Sequence, residues 1–201
     1  MASIFQTVTF RLSIFSSSLF CFSCMYADKL WSDFWLLYGI IHIIIIGFFI
    51  GVTIQSVVFW AAQSDAYKFS FIPFISNIIC LVLVITLPLN YIRNRIEFAI
   101  YKNEYNAAAN IAVKRRKDLT TNLYNLPSRL SFLSVGGGDV ILLDKPMKKA
   151  VFFYTFRGAP EGRSGFIQVR RGNSVSCINE MFGQVYKRKD LGKNWFYVAG
   201  E

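Results

Sequence analysis

Residues 34–60, FWLLYGIIHIIIIGFFIGVTIQSVVFW, run without a single Asp, Glu, Lys or Arg. At 1.5 Å per residue this is about 40 Å of helix, more than a hydrocarbon core of about 30 Å requires. Tilt, or seating of the Phe34, Trp35 and Trp60 rings at the interfaces, absorbs the surplus. Residues 69–92, FSFIPFISNIICLVLVITLPLNYI, read as a second span, with Pro73 in its first turn and Pro88 where a helix kinks or restarts. The intervening AAQSDAYK is short, so 34–92 is predicted to be a transmembrane helical hairpin.

Residues 1–33 carry a weaker pattern. Arg11 interrupts the apolar run and leaves 12–27, rich in Ser and Phe and short for a span. A short third helix, an interfacial segment, a signal-like region and a translation start at Met25 are all compatible with it.

Beyond the hairpin the periodicity changes. Residues 89–118 contain no Gly or Pro and place apolar side chains at Ile92, Ile96, Ala99, Ile100, Ala107, Ala108 and Ile111. That spacing predicts a juxtamembrane helix over 93–118. Asn103 and Glu104 interrupt its stripe, which favours a stalk or a helix packed on the following domain over a long lipid-embedded one.

From 119 onward, short apolar runs alternate with turn residues. Strands are predicted at 130–134, 140–143, 150–157, 165–171, 174–178, 183–188 and 194–198, divided by segments such as GGGD, RGAPEGRS and KDLGKN. In Val151-Phe152-Phe153-Tyr154-Thr155-Phe156, and again in Trp195-Phe196-Tyr197-Val198, both alternating faces are apolar. Such strands are covered on both sides, so 119–201 is predicted to be a small antiparallel meander. It would form a closed barrel, or a curled sheet with the stalk helix or the bilayer surface over one face.

Charge sharpens this division. The chain carries 22 Lys and Arg against 12 Asp and Glu, and residues 1–92 hold only Arg11, Lys29 and Lys68 against Asp28, Asp33 and Asp65. The remaining 22 − 3 = 19 basic and 12 − 3 = 9 acidic residues follow, so the net charge of +10 belongs to the second half. Arg93, Arg95 and Lys102 directly follow the last span while the hairpin loop offers Asp65 and Lys68. The positive-inside rule therefore places the C-terminal domain in the cytoplasm. Cys21, Cys24, Cys80 and Cys177 show no disulfide-framework spacing.

Candidate chemistry is sparse. Gly47 and Gly51 form a small-xxx-small pair that Gln55 continues at i+4, and Asn77 lies in the loop-side half of the next span, within reach of Gln55 in a hairpin. These four are the predicted helix-packing residues, against the second span or in a homodimer seam. His42, the one histidine, has no charged residue within either main span to relay a proton or share a metal, which points to a structural hydrogen bond. Lys114, Arg115, Arg116 and Lys117, together with Arg157, Arg170 and Arg171, are candidate contacts for lipid headgroups or a protein partner.

The basic domain with its interleaved aromatics also invites a nucleic-acid reading. RSGFIQV departs from the RNA-recognition consensus, however, and the rings alternate as core residues do. Cys21-Phe-Ser-Cys24 lacks a flanking cation to activate a thiol, and the GGGD loop lacks a following helix to cradle phosphate. No hydrolase motif or carboxylate pair is present, so neither enzymatic activity nor a cofactor nor a metal is expected.

The spacing AVFFYTFRGAPEGRSGFIQV followed by KNWFYVAG resembles a block in uncharacterised bacterial proteins, where a Phe-Arg-Gly turn leads into a Ser-Gly-Phe strand and the chain finishes on Trp-Phe. Both segments lie within residues 150–200. The resemblance implies a compact β unit of bacterial origin and no activity.

The expected function is that of an integral inner-membrane protein tethering a basic cytoplasmic β domain that binds a protein partner or the membrane surface. The alternative is an immunity or superinfection-exclusion protein acting through its transmembrane helices.

Overall fold

The computed structural model describes residues 2–115, 122–158 and 162–200 and divides into two compact units. The first contains three helices, α1 (Ala2–Met25), α2 (Ala27–Gln63) and α3 (Ile72–Thr86). Its segments Val8–Met25 and Leu36–Gln63 are each long and apolar enough to cross a membrane. α1 and α2 run antiparallel, since Ser23 meets His42 while Phe20 stacks on Phe49 at 4.6 Å. α1 and α3 run parallel, since Ser13 meets Pro73 and Ser17 meets Asn77.

Two expectations change here. Residues 69–92 are not one helix: α3 has 15 residues, about 22 Å, and a bend of 75° separates it from α4 (Leu89–Ile100). Pro88 causes the break, because its ring disfavours helical geometry at the preceding residue and Leu87 is extended at φ −94, ψ 135. The N-terminal segment, which looked short, is helical through Arg11, and α1 rather than α3 provides the second full-length candidate span.

The second unit is built on an open six-stranded antiparallel sheet of order β1-β2-β3-β4-β6-β5. The strands are β1 (Leu123–Asn125), β2 (Asp139–Lys145), β3 (Lys148–Arg157), β4 (Arg163–Arg171), β5 (Val185–Gly192) and β6 (Trp195–Gly200). Both faces are covered, as the doubly apolar strands require. On one face Phe153, Phe166 and Trp195 pack with Phe98 of α4 and Tyr105 of α5 (Lys102–Arg115). Ala108, Ala109 and Ala112, all at 0% exposure, let α5 sit close. On the other face Phe152, Ile167, Phe196 and Val198 pack with Cys177, Ile178 and Phe182 at and beyond α6 (Ser174–Met181).

The sheet is neither a closed barrel nor a simple meander. β6 inserts between β4 and β5, and α6 lies in the β4–β5 connection. Residues 174–178, expected as a strand, are helical because Asn173 caps them: its side chain accepts from the Val175 amide at 2.8 Å. Residues 130–134 lie largely in a 3-10 helix, Ser128–Leu133, initiated after Pro127, whose carbonyl accepts from the Leu130 amide. The GGGD loop consequently joins that helix to β2. The predicted juxtamembrane helix is interrupted at Tyr101, where α4 gives way to α5.

Candidate functional site

On α1 of the helical unit most of the serines face inward. Ser13, Ser16, Ser17 and Ser23 of α1 are buried while Phe10, Ile14, Phe15 and Phe22 are exposed. A water-soluble bundle places its residues the other way round. Ser13 and Ser17 converge on Asn77, itself at 0% exposure, while Ser16 donates to the Ser13 carbonyl. Ser13 Oγ lies 2.7 Å from both Asn77 Oδ1 and the Pro73 carbonyl and shares its one proton between them, and Ser17 Oγ donates to Asn77 Oδ1 at 2.8 Å. On the opposite side Asn77 Nδ2 reaches Ser56 Oγ of α2 at 3.5 Å, and Ser56 in turn donates to the Val52 carbonyl. Asn77 thus joins all three helices in a place where an unpaired amide would be costly.

This corrects the predicted partner of Asn77. Gln55 is half-buried and makes no side-chain hydrogen bond among the described residues; its neighbour Ser56 takes the inward position. Gly47 and Gly51 are exposed, and a Cβ added at either meets nothing within 4 Å, so the small-xxx-small stripe is not a seam against α1 or α3. The signal for the true seam was legible: Thr9, Ser13, Ser16 and Ser23 recur at helical spacing in a segment whose other residues are mostly apolar.

His42 makes the structural contact expected of it. Its Nδ1 lies 2.6 Å from Ser23 Oγ and 3.2 Å from Tyr38 OH, and Tyr38 also donates to the Ser23 carbonyl. An apolar groove of about 260 Å³ between α1 and α2 runs past this cluster, lined by residues that include Leu19, Phe22, Phe34 and Ile41. Ser23, at 2% exposure, and Tyr38 also border it. Cys21 and Cys24 are half-buried free thiols packed near Phe20, Phe49 and Cys80.

In the sheet unit two of the candidate cations, Arg157 and Arg170, have partners, as do Arg163 and Arg188. Arg157 pairs with Asp139 at 3.3 Å and stacks over Tyr154, which ties the end of β3 to the glycine loop; Asn125 holds the other oxygen of Asp139 at 3.0 Å. Arg170 donates to Gln168 Oε1 and to Asn110 Oδ1 of α5, and burial lowers its guanidinium from the ordinary value. Arg163 donates to the Met181 carbonyl at 2.6 Å and lies over Phe182, closing the C-terminal end of α6. Arg188 covers the Phe196 ring and bonds Ser174. Arg171 and Lys114 are exposed, Arg115 ends α5, and Arg116 and Lys117 lie outside the described residues.

These groups are spread over both faces and both ends of the sheet. No group of three or more His, Cys, Asp or Glu side chains able to hold a metal occurs among the described residues. Compared with known proteins, the chain matches no family model, no curated protein and no solved structure.

Sequence reasoning missed one polar anchor. Asn106 Oδ1 accepts from Trp195 Nε1 at 3.1 Å and from Gln168 Nε2 at 3.0 Å, fixing α5 to β4 and β6. Trp195 is at 0% exposure, so its ring belongs to the core and is not offered to a base or ligand.

Proposed function

We propose that this chain is an integral membrane protein without enzymatic activity, whose helices anchor a basic sheet domain that seats on the membrane surface. The observation that carries the reading is the inverted polarity of α1, with Ser13 and Ser17 inward on Asn77 and Phe10, Ile14, Phe15 and Phe22 outward. Only an apolar solvent makes that arrangement favourable. α3 is the third crossing, its shortness relieved by the turn residues before it and the extended Leu87-Pro88 after it. Three crossings put the N-terminus outside. Arg93, Arg95 and Lys102 at the end of the last crossing support a cytoplasmic sheet domain, and the reading assigns the chain to a bacterial inner membrane.

The experiment pairs alkaline carbonate extraction with reporter fusions. The full chain is expected to stay with the membrane, and a fluorescent-protein fusion at the C-terminus to fluoresce while a phosphatase fusion there is inactive. Release by carbonate removes the anchor, and an active C-terminal phosphatase reverses the orientation.

A second reading, an immunity or exclusion protein that acts through its spans, is favoured by the open face at Gly47 and Gly51. Gly47→Leu with Gly51→Leu abolishes protection of the host under that reading and is silent under the first.

A further inference from the structure

α4 is apolar on two sides. Phe98 is at 3% exposure and inserts among Tyr105, Phe166 and Trp195, with Asn94 buried one turn earlier. Away from that face stand Ile96 at 50% exposure and Ile100 at 66%, one helical turn apart. Tyr101 follows at 36%, and its ring meets Phe132 edge-on at 5.1 Å, itself 45% exposed. Ile96 and Ile100 of α4, Tyr101 just after it and Phe132 of the 3-10 helix are thus four large apolar side chains left uncovered on the sheet unit. Arg95 and Arg129 are exposed beside it, Arg129 three residues before Phe132 and so on the same side of a 3-10 helix. Glu97 is the acidic residue within α4, and it is half-buried.

A second protein and a lipid surface are the two covers open to such a patch. Its place in the chain decides between them. α4 begins at the residue after Pro88, after a 75° bend from α3, so a helix leaving a membrane-crossing segment turns well away from that segment's axis. A helix turned in this way at the end of a span lies in the interfacial layer, where one apolar face enters the acyl boundary and basic side chains meet headgroups. The interruption at Tyr101 separates this short helix from α5, which is committed to the sheet. Asn103 and Glu104 therefore do not break the stripe that matters.

We infer that Ile96, Ile100, Tyr101 and Phe132 form a lipid-inserting patch by which the sheet domain docks on the bilayer surface. The patch rests on the membrane reading above and specifies which face of the domain touches lipid.

The test uses the full chain reconstituted in vesicles of mixed phosphatidylcholine and phosphatidylglycerol. The photoreactive residue p-benzoylphenylalanine is placed in turn at Ile100, at Phe132 and at Tyr186, an exposed ring on β5 at the far edge of the sheet. All three positions are exposed, so the domain tolerates the label. Illumination is expected to give acyl-chain adducts, read by mass spectrometry, at Ile100 and Phe132 and none above background at Tyr186. Adducts to a second protein copy at Ile100 and Phe132, equal lipid adducts at all three positions, or none at any overturns the inference. Carbonate extraction of the same vesicles separates the two levels: a chain that stays embedded but gives no patch adducts refutes the docking patch alone, whereas a released chain refutes the membrane reading.

Discussion

Asn106 provides the most quantitative prediction, because one amide oxygen serves two donors and one of them is fully buried. In Asn106→Ala the Trp195 N–H, on a ring at 0% exposure, loses its acceptor and cannot reach water. Stranding a buried donor costs about 1–3 kcal/mol, and loss of the Gln168 bond adds about 0.5–1 kcal/mol, for a total of about 1.5–4 kcal/mol. Trp195→Phe removes the donor instead. Asn106 then keeps Gln168, and the cost is about 1 kcal/mol for the hydrogen bond plus about 1–2 kcal/mol for the smaller ring in a packed site. In the double variant no donor is stranded. Its destabilisation should fall short of the sum of the single variants by about 1–2 kcal/mol. Pulse proteolysis of the full chain across a urea series, in detergent, reads the midpoint for the sheet domain at constant m. Additivity within about 0.3–0.5 kcal/mol would show that the bond does not hold α5 to the sheet.

Three further outcomes are expected of the sheet domain. Lys193 and Asn194 form the two-residue β5–β6 turn with φ 53 and 65, a geometry that costs most L-residues about 1–2 kcal/mol; Lys193→Asn should stabilise by about 0.5–1 kcal/mol, and a lowered urea midpoint would contradict the turn. A Cβ on Gly165 would lie 1.9 Å from the Phe153 carbonyl oxygen and 2.8 Å from the Phe152 ring. Gly165→Ala should therefore cost about 3 kcal/mol or more, while Gly183→Ala, in open space, stays within about 0.5 kcal/mol. Hydrogen bonds from Lys145 and Lys148 hold the Glu180 carboxyl below the ordinary glutamate range. A depressed folded value favours the fold above the unfolded pKa and is lost as pH falls through the folded one, so stability should decline on that acid limb. Glu180→Gln should flatten the limb, and high salt should weaken the effect in the wild type; an unchanged slope in the variant assigns it to other groups.

Much of the architecture was legible because it follows from periodicity. The charge-free run of 34–60 and the doubly apolar strands at 151–156 and 195–198 each admit one economical burial, and α2, β3 and β6 follow. Pro88 marked the break after α3, although its consequence, a span too short by itself, required the helix end at Thr86. The misread segments were short. In 174–178 the alternation of Ser and apolar residues suggested a strand, and the capping Asn173 outweighed it. In 130–134 the hydrophobic residues gave no period long enough to tell a strand from a 3-10 turn.

The candidate cations were visible as charges, but their engagement was not. Arg157 with Asp139 and Arg170 with Asn110 depend on sheet order and on where α5 lies. The Ser-rich N-terminal segment was undervalued because serine lowers mean hydropathy whichever way it faces. The spacing of Ser13, Ser16 and Ser23 carries the information that an average discards.

The inverted polarity of α1 is tested most directly by nitroxide scanning of residues 10–17 in lipid vesicles, on a background with Cys21, Cys24, Cys80 and Cys177 replaced. Accessibility to oxygen, which partitions into acyl chains, is compared with accessibility to a water-soluble nickel chelate. Oxygen should exceed nickel throughout, with maxima at Phe10, Ile14 and Phe15 and minima at Ser13, Ser16 and Ser17. Nickel accessibility that peaks at the three apolar positions would place that face in water and contradict a membrane-embedded helix.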